Sequence, residues 1–580
     1  MSKLSVEQKT VKELFLQKKA DFLVPDYQRP YAWETTECQT LWDDVFMFAF
    51  PDNDHEKFDR SNDEYFLGPI VTFKNDDDKM EIIDGQQRLT TLMLLLRAFY
   101  VKFGNMQDRE SVKVRETIEQ CIWKTDEFGS PDKSELKINS EVATDNDKEE
   151  FLTILKVGIA EKEKKSNYAV NYRFMQEKID EFINTFPAYF SYLPNRILNN
   201  CILLPIEAES QDTALRIFST LNDRGKPLSD ADIFKAQFYK YYTGKGEKDD
   251  FIQKWKDLDE LCSEIFHPIS GTSMDELFTR YMYYERAKIG VRTSTTEALR
   301  KFYEKDNYSL LRKDETFDNL IILADFWNDI FDQNIDRFSD KVLRRLFVLN
   351  YAPNGMWTYI VSVYFMKNKN QEGLLDDDEF FDFLKRITAF VWTYAITNPG
   401  VNALRTPVFS EMINIVNDLP VEFADYKFDR LAVRSMIDNF GFYNGRPITK
   451  SMLTWWAYND ENQRKLPLET TLEIEHIYAR NRQNIEKSLS SNKSLELLGN
   501  KSLLEKRINI RAADYRFEDK KKYYRGFTNN RNQVKDGTKI QELVTLADTL
   551  SDFKETNIIE RNDKIIEKFL DFLEDNQLTS

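Results

Sequence analysis

In Glu81-Ile-Ile-Asp-Gly-Gln-Gln-Arg-Leu-Thr-Thr-Leu-Met93 an apolar pair stops at Asp84-Gly85 and a helical period starts at once. Leu89, Leu92, Met93, Leu96 and Phe99 recur at the spacing of one helix face, and Arg88 and Arg97 interrupt the apolar run. A strand that turns through glycine straight into a helix leaves backbone N–H groups unpaired at the helix start, where phosphate oxygens can bind. Gln86, Gln87 and Arg88 add side-chain donors on that first turn, and an arginine can hold an oxyanion through two parallel bonds. Geometry alone leaves two readings open: an oxyanion site, or a capped helix with a solvated first turn.

At 580 residues the chain is too long for one ordinary core, so two or three domains are expected. No stretch reaches the ~18–20 uninterrupted apolar residues of a membrane span. The start, Met1-Ser-Lys-Leu-Ser-Val-Glu-Gln8, has no secretory apolar region. Cys38, Cys121, Cys201 and Cys262 lie far apart and form no CxxC pair, so they are expected as reduced, buried thiols of a cytoplasmic protein. A formal charge of −17 argues against a protein that coats nucleic acid indiscriminately, while leaving room for a local basic footprint.

Short β-like runs (Ile70–Phe73, Glu81–Ile83, Cys201–Pro205) alternate with helical stretches up to residue 242. Asp126–Lys165 is highly polar and is expected as an exposed loop or helix pair. Gly244-Lys-Gly-Glu-Lys-Asp-Asp250 reads as a boundary. Beyond it the pattern turns helical and aromatic to about Asn398, with no repeat of fixed period, and its Trp and Tyr residues are expected as core. The expected class is α+β, helix-rich and multidomain, with an α/β domain over 1–242, a helical connecting region over 243–425 and a third, helical domain over 426–580.

Histidine is scarce: His55, His267 and His476 are the only three. The first two sit in loop-like surroundings. His476 lies in Leu472-Glu-Ile-Glu-His-Ile-Tyr-Ala-Arg-Asn481, an alternating segment of β character. Leu498-Gly-Asn-Lys-Ser-Leu-Leu504, Arg507-Ile-Asn-Ile510 and Phe517-Glu-Asp-Lys520 follow it. From Lys501 to Arg531 ten basic residues face four acidic ones, interleaved with Tyr515, Phe517, Tyr523, Tyr524 and Phe527. A window so opposed to the global charge reads as a phosphate-contacting surface, with Lys501, Arg507, Arg511, Lys520, Lys521 and Lys522 as its candidate DNA-binding residues.

Asp84–Arg88, DGQQR, resembles the signature of the ParB-like nucleotide-hydrolysing domain in the GmrS half of GmrSD-type restriction systems. Phe22–Trp33 with Leu41–Asp44, Tyr65–Ile70, and Ile217–Ser229 with Asp232 are similar to that domain's flanking blocks, over roughly 10–242. The His476 blocks resemble the HNH nuclease domain of the GmrD half over roughly 430–545, whose core is a β-hairpin and a helix round one metal ion. Two positions depart from that pattern: Ala479 replaces a proline and Lys501 a leucine.

The resemblance implies a modification-dependent DNA endonuclease of bacterial anti-phage defence, regulated by a nucleoside triphosphate (GTP, UTP, CTP or ATP). Gln28, Arg29, Asp84, Gly85, Gln86, Gln87 and Arg88 are its candidate nucleotide-binding residues. Hydrolysing a phosphodiester needs a base for water and a cation for the developing charge. His476 is expected as the base, Asn500 as the residue that orients the site, and Asn509 with Glu475 as ligands of Mg²⁺ or Mn²⁺. Adjacent residues of a regular strand face opposite sides, so Glu475 and His476 share a site only where the strand ends or twists. Modified phage DNA and a second copy of the chain are the implied partners. The alternatives are a phosphorothioate-sensing defence nuclease, or a nucleotide-switched, ParB-like DNA-binding or partner-binding protein with a vestigial HNH site.

Overall fold

Ile82 and Ile83 are both buried although neighbours on a strand point to opposite faces, so the sheet that holds them must be covered on both sides. The computed structural model describes residues 5–580 except 18–19, 52–57, 60, 76, 143–144, 212, 215–216, 218–228, 291–295, 401 and 530. His55 and most of the Ile217–Ser229 block lie outside the described residues. The fold is α+β and helix-rich, and the chain divides into two compact units, Met1–Asp257 and Leu258–Ser580. The division falls inside the helix Lys248–Ile265, a little beyond the expected Gly244–Asp250 boundary.

The first unit is built on β1 (Ser5–Val6), β2 (Lys9–Thr10), β3 (Phe22–Val24), β4 (Tyr65–Lys74), β5 (Met80–Asp84), β6 (Trp123–Thr125), β7 (Pro131–Leu136), β8 (Ile138–Ser140) and β9 (Cys201–Ala208). Seven of these form one mixed sheet in the order β1-β9-β4-β5-β3-β8, with β2 also on β9, and β6 and β7 pair separately. Ile70 and Ile82 face the larger core, with the helices Thr35–Ala49, Gln86–Lys102 and Asn167–Thr185. Val71 and Ile83 face a smaller cluster that includes Tyr27, Ala208 and Ala236 of the helix Asp230–Lys245.

The helix after DGQQR is not one-faced as its periodicity suggests. Every residue from Gln86 to Phe99 is buried, so it is the central helix of the unit. Arg97 is accommodated there by donating from Nε to the Leu155 carbonyl at 2.7 Å, at the end of the helix Lys148–Val157. That contact also corrects the reading of Asp126–Lys165 as an exposed loop or helix pair. Its β8 is an edge strand of the main sheet, and Phe151, Ile154 and Leu155 are buried in the core.

In the second unit side-chain caps start the long helices where the sequence supplies them: Thr272 before Ser273–Ile289, Ser339 before Asp340–Leu349 and Asp376 before Asp377–Thr397. The aromatic residues between them are core, as pairs such as Phe326–Phe365 (3.9 Å), Tyr364–Phe383 (4.0 Å) and Phe390–Phe423 (3.6 Å) demonstrate. All four cysteines are buried and unpaired. No helix among the described residues is long and apolar enough to cross a membrane.

Gly68 breaks the register between β4 and β9 with φ of +126°, and a Cβ there would lie 2.9 Å from the Arg88 guanidinium. Gly68→Ala should therefore cost about 1–3 kcal/mol from backbone strain alone, before any displacement of Arg88. Urea denaturation compared with the parent checks this; an unchanged midpoint would show that the bulge tolerates a side chain.

Candidate functional site

The segment around His476 folds as the alternation in its sequence directs. Strand β10 (Leu472–His476) pairs antiparallel with β11 (Lys501–Glu505), placing His476 opposite Lys501 and Glu473 opposite Leu504. The short helix Lys506–Ala512 follows β11 directly, and Phe517–Arg525 packs beyond it, ahead of the hairpin β12 (Gly526–Thr528) and β13 (Val534–Asp536). A β-hairpin followed by a helix is thus present, with Asn509 on the helix.

Strand β10 stays regular to its end, so Glu475 and His476 point apart. Glu475 accepts from Lys520 Nζ at 2.7 Å and from the Tyr524 hydroxyl at 2.6 Å, in a site closed to solvent. Burial pushes its carboxyl above the usual range, against the pull of Lys520. Glu475 is therefore a structural anchor and is not brought to Asn509. The carboxylate that meets Asn509 is Glu473, whose Oε2 accepts from Asn509 Nδ2 at 2.8 Å. Sequence reading passed over Glu473, although its spacing of two from Glu475 puts it on the same strand face. Carboxylate and carboxamide oxygens are the donors a hard divalent cation takes, with water completing its shell. The Glu473–Asn509 pair fits Mg²⁺ or Mn²⁺ by donor chemistry, and Glu475 does not. Among the described residues no group of three or more His, Cys, Asp or Glu side chains could hold a metal.

His476 faces a different set of charges. Its side chain is 11% exposed, and Nε2 lies 4.0 Å from Glu496 Oε1. That Nε2 is buried and has no hydrogen-bond partner. Burial, reinforced by the positive charges of Lys501 and Arg480, pushes the imidazole down to about 3, so it is neutral in ordinary buffers. Glu496 is held below the usual carboxylate range: burial raises it, but Lys501 at 2.6 Å and Arg480 at 2.7 Å outweigh that effect.

Asn500 is fully buried and acts on the backbone. Its Oδ1 accepts from the Tyr478 N–H at 2.8 Å, and its Nδ2 donates to the Tyr478 and Leu495 carbonyls at 3.1 and 3.2 Å. These bonds fix the turn that follows His476. Ala479 has φ of −67°, the angle a proline ring would impose, so the backbone keeps that course without the ring.

Two expected DNA contacts are excluded by burial. Lys501 has no exposed surface and donates to Glu496 and the Phe442 carbonyl, while Lys520 is enclosed with Glu475 and the His476 carbonyl. Counting charges along the sequence could not distinguish these internal cations from surface ones. Lys521 donates to the Leu550 carbonyl at 2.6 Å. Lys506, Arg507 and Lys522 are exposed, and Arg511 is half-buried beside Arg507.

In the first unit Gly85 takes φ of +89° and turns β5 into the central helix. The two glutamines of DGQQR clamp the Arg29–Trp33 segment. Gln86 Nε2 donates to the Arg29 carbonyl at 2.7 Å, and Gln87 Oε1 accepts from the Ala32 and Trp33 N–H groups at 2.7 and 3.2 Å. Gln28 donates to the Ile83 carbonyl at 3.3 Å. These three side chains serve the fold, where sequence reading expected ligand donors. Arg88 donates to the Pro69 carbonyl at 3.0 Å. Burial raises the Asp84 carboxyl, while the nearby Arg88 and Arg29 and the Gly85 N–H pull it back. Burial in turn lowers both arginines, which Asp84 and, for Arg29, Asp232 oppose. The charged part of the motif is thus Asp84 with Arg29 and Arg88, brought together from β5, the central helix and the preceding segment.

The N-terminal domain model of the GmrSD restriction endonucleases matches residues 11–239, and the C-terminal domain model of the same family matches 429–568. The chain belongs to the GmrSD restriction endonuclease family. Membership makes it a nuclease of the type IV restriction class, active in defence, with DNA as its partner. No curated protein matches the chain. The two matched segments contain the DGQQR turn and the His476 hairpin respectively, so the GmrSD family assignment rests on both sites.

Glu475→Gln should leave the Lys520 ammonium buried without its counter-charge, a loss of about 3–5 kcal/mol. Exposed Lys522→Gln on the same helix should stay within about 0.5 kcal/mol of the parent. Chemical denaturation of both variants makes the comparison, and equal midpoints would remove Glu475 from its structural role.

Proposed function

We propose that this GmrSD-family protein hydrolyses DNA phosphodiesters beside His476, under the control of a nucleoside triphosphate bound at the Asp84–Arg88 turn. One observation supports the first half above all: Nε2 of His476 lacks a partner although it is buried, and burial together with the nearby Lys501 and Arg480 keeps the ring neutral. A neutral imidazole can take a proton from water, which a phosphodiester hydrolase requires of its base. Arg480, half of its side chain exposed, adjoins Glu496 and offers a cation to an approaching phosphate. Asn500 is a positioning residue, because it holds the turn that carries the base. A Mg²⁺ or Mn²⁺ ion would supply charge stabilisation at the phosphate and leaving group; Glu473, which with Asn509 has the donor chemistry to hold one, lies on the strand face away from His476. Lys506, Arg507, Arg511 and Lys522 remain for the DNA backbone, which they would contact without reading sequence.

For the regulatory half, Arg29 and Arg88 converge on Asp84 at the start of a long helix, and that combination suits phosphate oxygens. The nucleotide is GTP, UTP, CTP or ATP. Discrimination of modified phage DNA is assigned to residues 1–242.

His476→Ala should lower DNA cleavage about 10²–10⁴-fold while leaving nucleotide hydrolysis intact. The assay uses unmodified, glucosylated-hydroxymethylcytosine and phosphorothioated DNA, each with Mg²⁺ or Mn²⁺ and with or without nucleotides. Cleavage at the parent rate would make His476 structural, and a parent enzyme indifferent to EDTA would contradict the metal. Arg88→Ala and Asp84→Ala should weaken binding of the preferred nucleoside triphosphate in calorimetric titrations; undiminished binding in both would reduce DGQQR to a structural turn.

The pH dependence is a separate check. The folded-state value of about 3 lies below the ordinary 6.5, so the base stays unprotonated as pH falls through 6.5 and begins to lose competence only near its own value. The profile of kcat/KM should therefore show no acid limb centred at 6.5. The same depression means His476 favours the folded state above 6.5 and loses that contribution as pH falls from 6.5 towards 3. A limb centred near 6.5 that disappears in His476→Ala would show a solvated imidazole instead.

A further inference from the structure

The helix Asp340–Leu349 carries two adjacent arginines whose surroundings differ sharply. The Arg344 guanidinium donates to three backbone carbonyls, those of Tyr458 at 3.1 Å, Asp460 at 2.7 Å and Gln463. Lys341, one turn earlier, is held by Asp378 and Asp377. Arg345 has no such partner among the described residues. Its Nε is buried without a hydrogen-bond acceptor, and its nearest recorded neighbour is the Phe572 ring, 5.2 Å from the guanidinium carbon. Burial, with Arg344 adjacent, lowers the guanidinium to about 10, an unusual value for an arginine.

Arg345 lines a cavity of about 360 Å³ with Arg344, Val348, Phe381 and Tyr458; the carboxylates on its wall, Asp340 and Glu461, belong to exposed residues. Arg345 as a whole is half-buried, and the face of one aromatic ring does not replace the hydrogen bonds its buried Nε has given up. A cation left uncompensated beside an open cavity is therefore the arrangement of an anion site. The fork of donors on arginine matches phosphate geometry, and the volume exceeds that of a bare ion.

We propose that this cavity binds a phosphate group carried on a nucleotide, with Arg345 as the cation that grips it and Tyr458 and Phe381 as apolar walls for the attached base. The choice of phosphate over carboxylate rests on the DNA-directed function given above. The phosphate can come from a free nucleotide or from a DNA strand.

The test is calorimetric titration of the full chain in EDTA with deoxycytidine, dCMP, pyrophosphate and a 12-nucleotide single strand. Working without divalent metal separates this binding from cleavage at His476, so failure of either reading leaves the other standing. Arg345→Gln should weaken binding of the phosphate-bearing probe about 10-fold or more, and Arg345→Lys less. Because Arg345→Gln removes an uncompensated charge, it should melt no lower than the parent. Binding of dCMP that Arg345→Gln abolishes identifies a free nucleotide as the source. Binding of the 12-nucleotide strand alone, weakened in the same variant, identifies DNA. The proposal is overturned if no phosphate-bearing probe binds, if Arg345→Gln binds them like the parent, or if deoxycytidine binds as tightly as dCMP.

Discussion

The buried ion pair between Glu475 and Lys520 sets what the C-terminal hairpin can do. Lys520 also donates to the carbonyl of His476, so one ammonium ties the strand to the helix Phe517–Arg525 at two successive residues. With Glu475 held on that side, alternation leaves His476 to the other, where Glu496, Arg480 and Lys501 wait. A shift of one residue in the pairing of β10 and β11 would send His476 into the Lys520 side and bring Glu475 out. The pair repays part of its desolvation through Tyr524, which supplies a further donor to the same carboxylate. Asn500 completes the restraint from the following turn. The histidine is thus positioned by the Glu475–Lys520 pair and by Asn500.

The neutral state of His476 comes first from burial and then from the cations around it. Lys501 is inside the protein because Glu496 accompanies it, and together with Arg480 it keeps positive charge near the imidazole. A leucine at position 501, as in the family pattern, would remove the cation and leave Glu496 with Arg480 alone. The buried Lys501 is therefore tied to Glu496, five residues earlier. It alters the electrostatics of the histidine while keeping the hairpin packed.

The turn through Gly85 and the β character of the His476 segment were legible in the sequence, because both depend on local patterns. Partners distant along the chain were not. Gln86 and Gln87 looked like ligand donors on a first helical turn, but their acceptors and donors at Arg29–Trp33 lie more than fifty residues away. Lys501 and Lys520 counted as surface charge because a linear sum carries no depth. Glu475 was expected as a ligand from the acid–His pair, on the condition that the strand ends or twists there, and the strand stays regular. Alternation sets both glutamates on the face away from His476, and what distinguishes Glu473 is its hydrogen bond with Asn509.

The same separation of roles recurs in the N-terminal unit. Its glutamines hold the Arg29–Trp33 segment against the central helix, Gly68 leaves room for the Arg88 guanidinium, and Gly85 makes the turn. The rest of the motif acts through charge, although Arg88 also donates to the Pro69 carbonyl. Asp84 is raised by burial and opposed by two arginines that burial lowers. Such a cluster is sensitive to any added charge. An anion arriving there would favour the charged forms of Arg29 and Arg88 and disfavour that of Asp84, weakening the attraction that gathers the three. Because Arg29 belongs to the segment clamped by Gln86 and Gln87, a change in that attraction acts on the same loop that the glutamines hold. A phosphate bound at this turn would therefore be coupled to the position of the Arg29–Trp33 segment through charges already present in the fold.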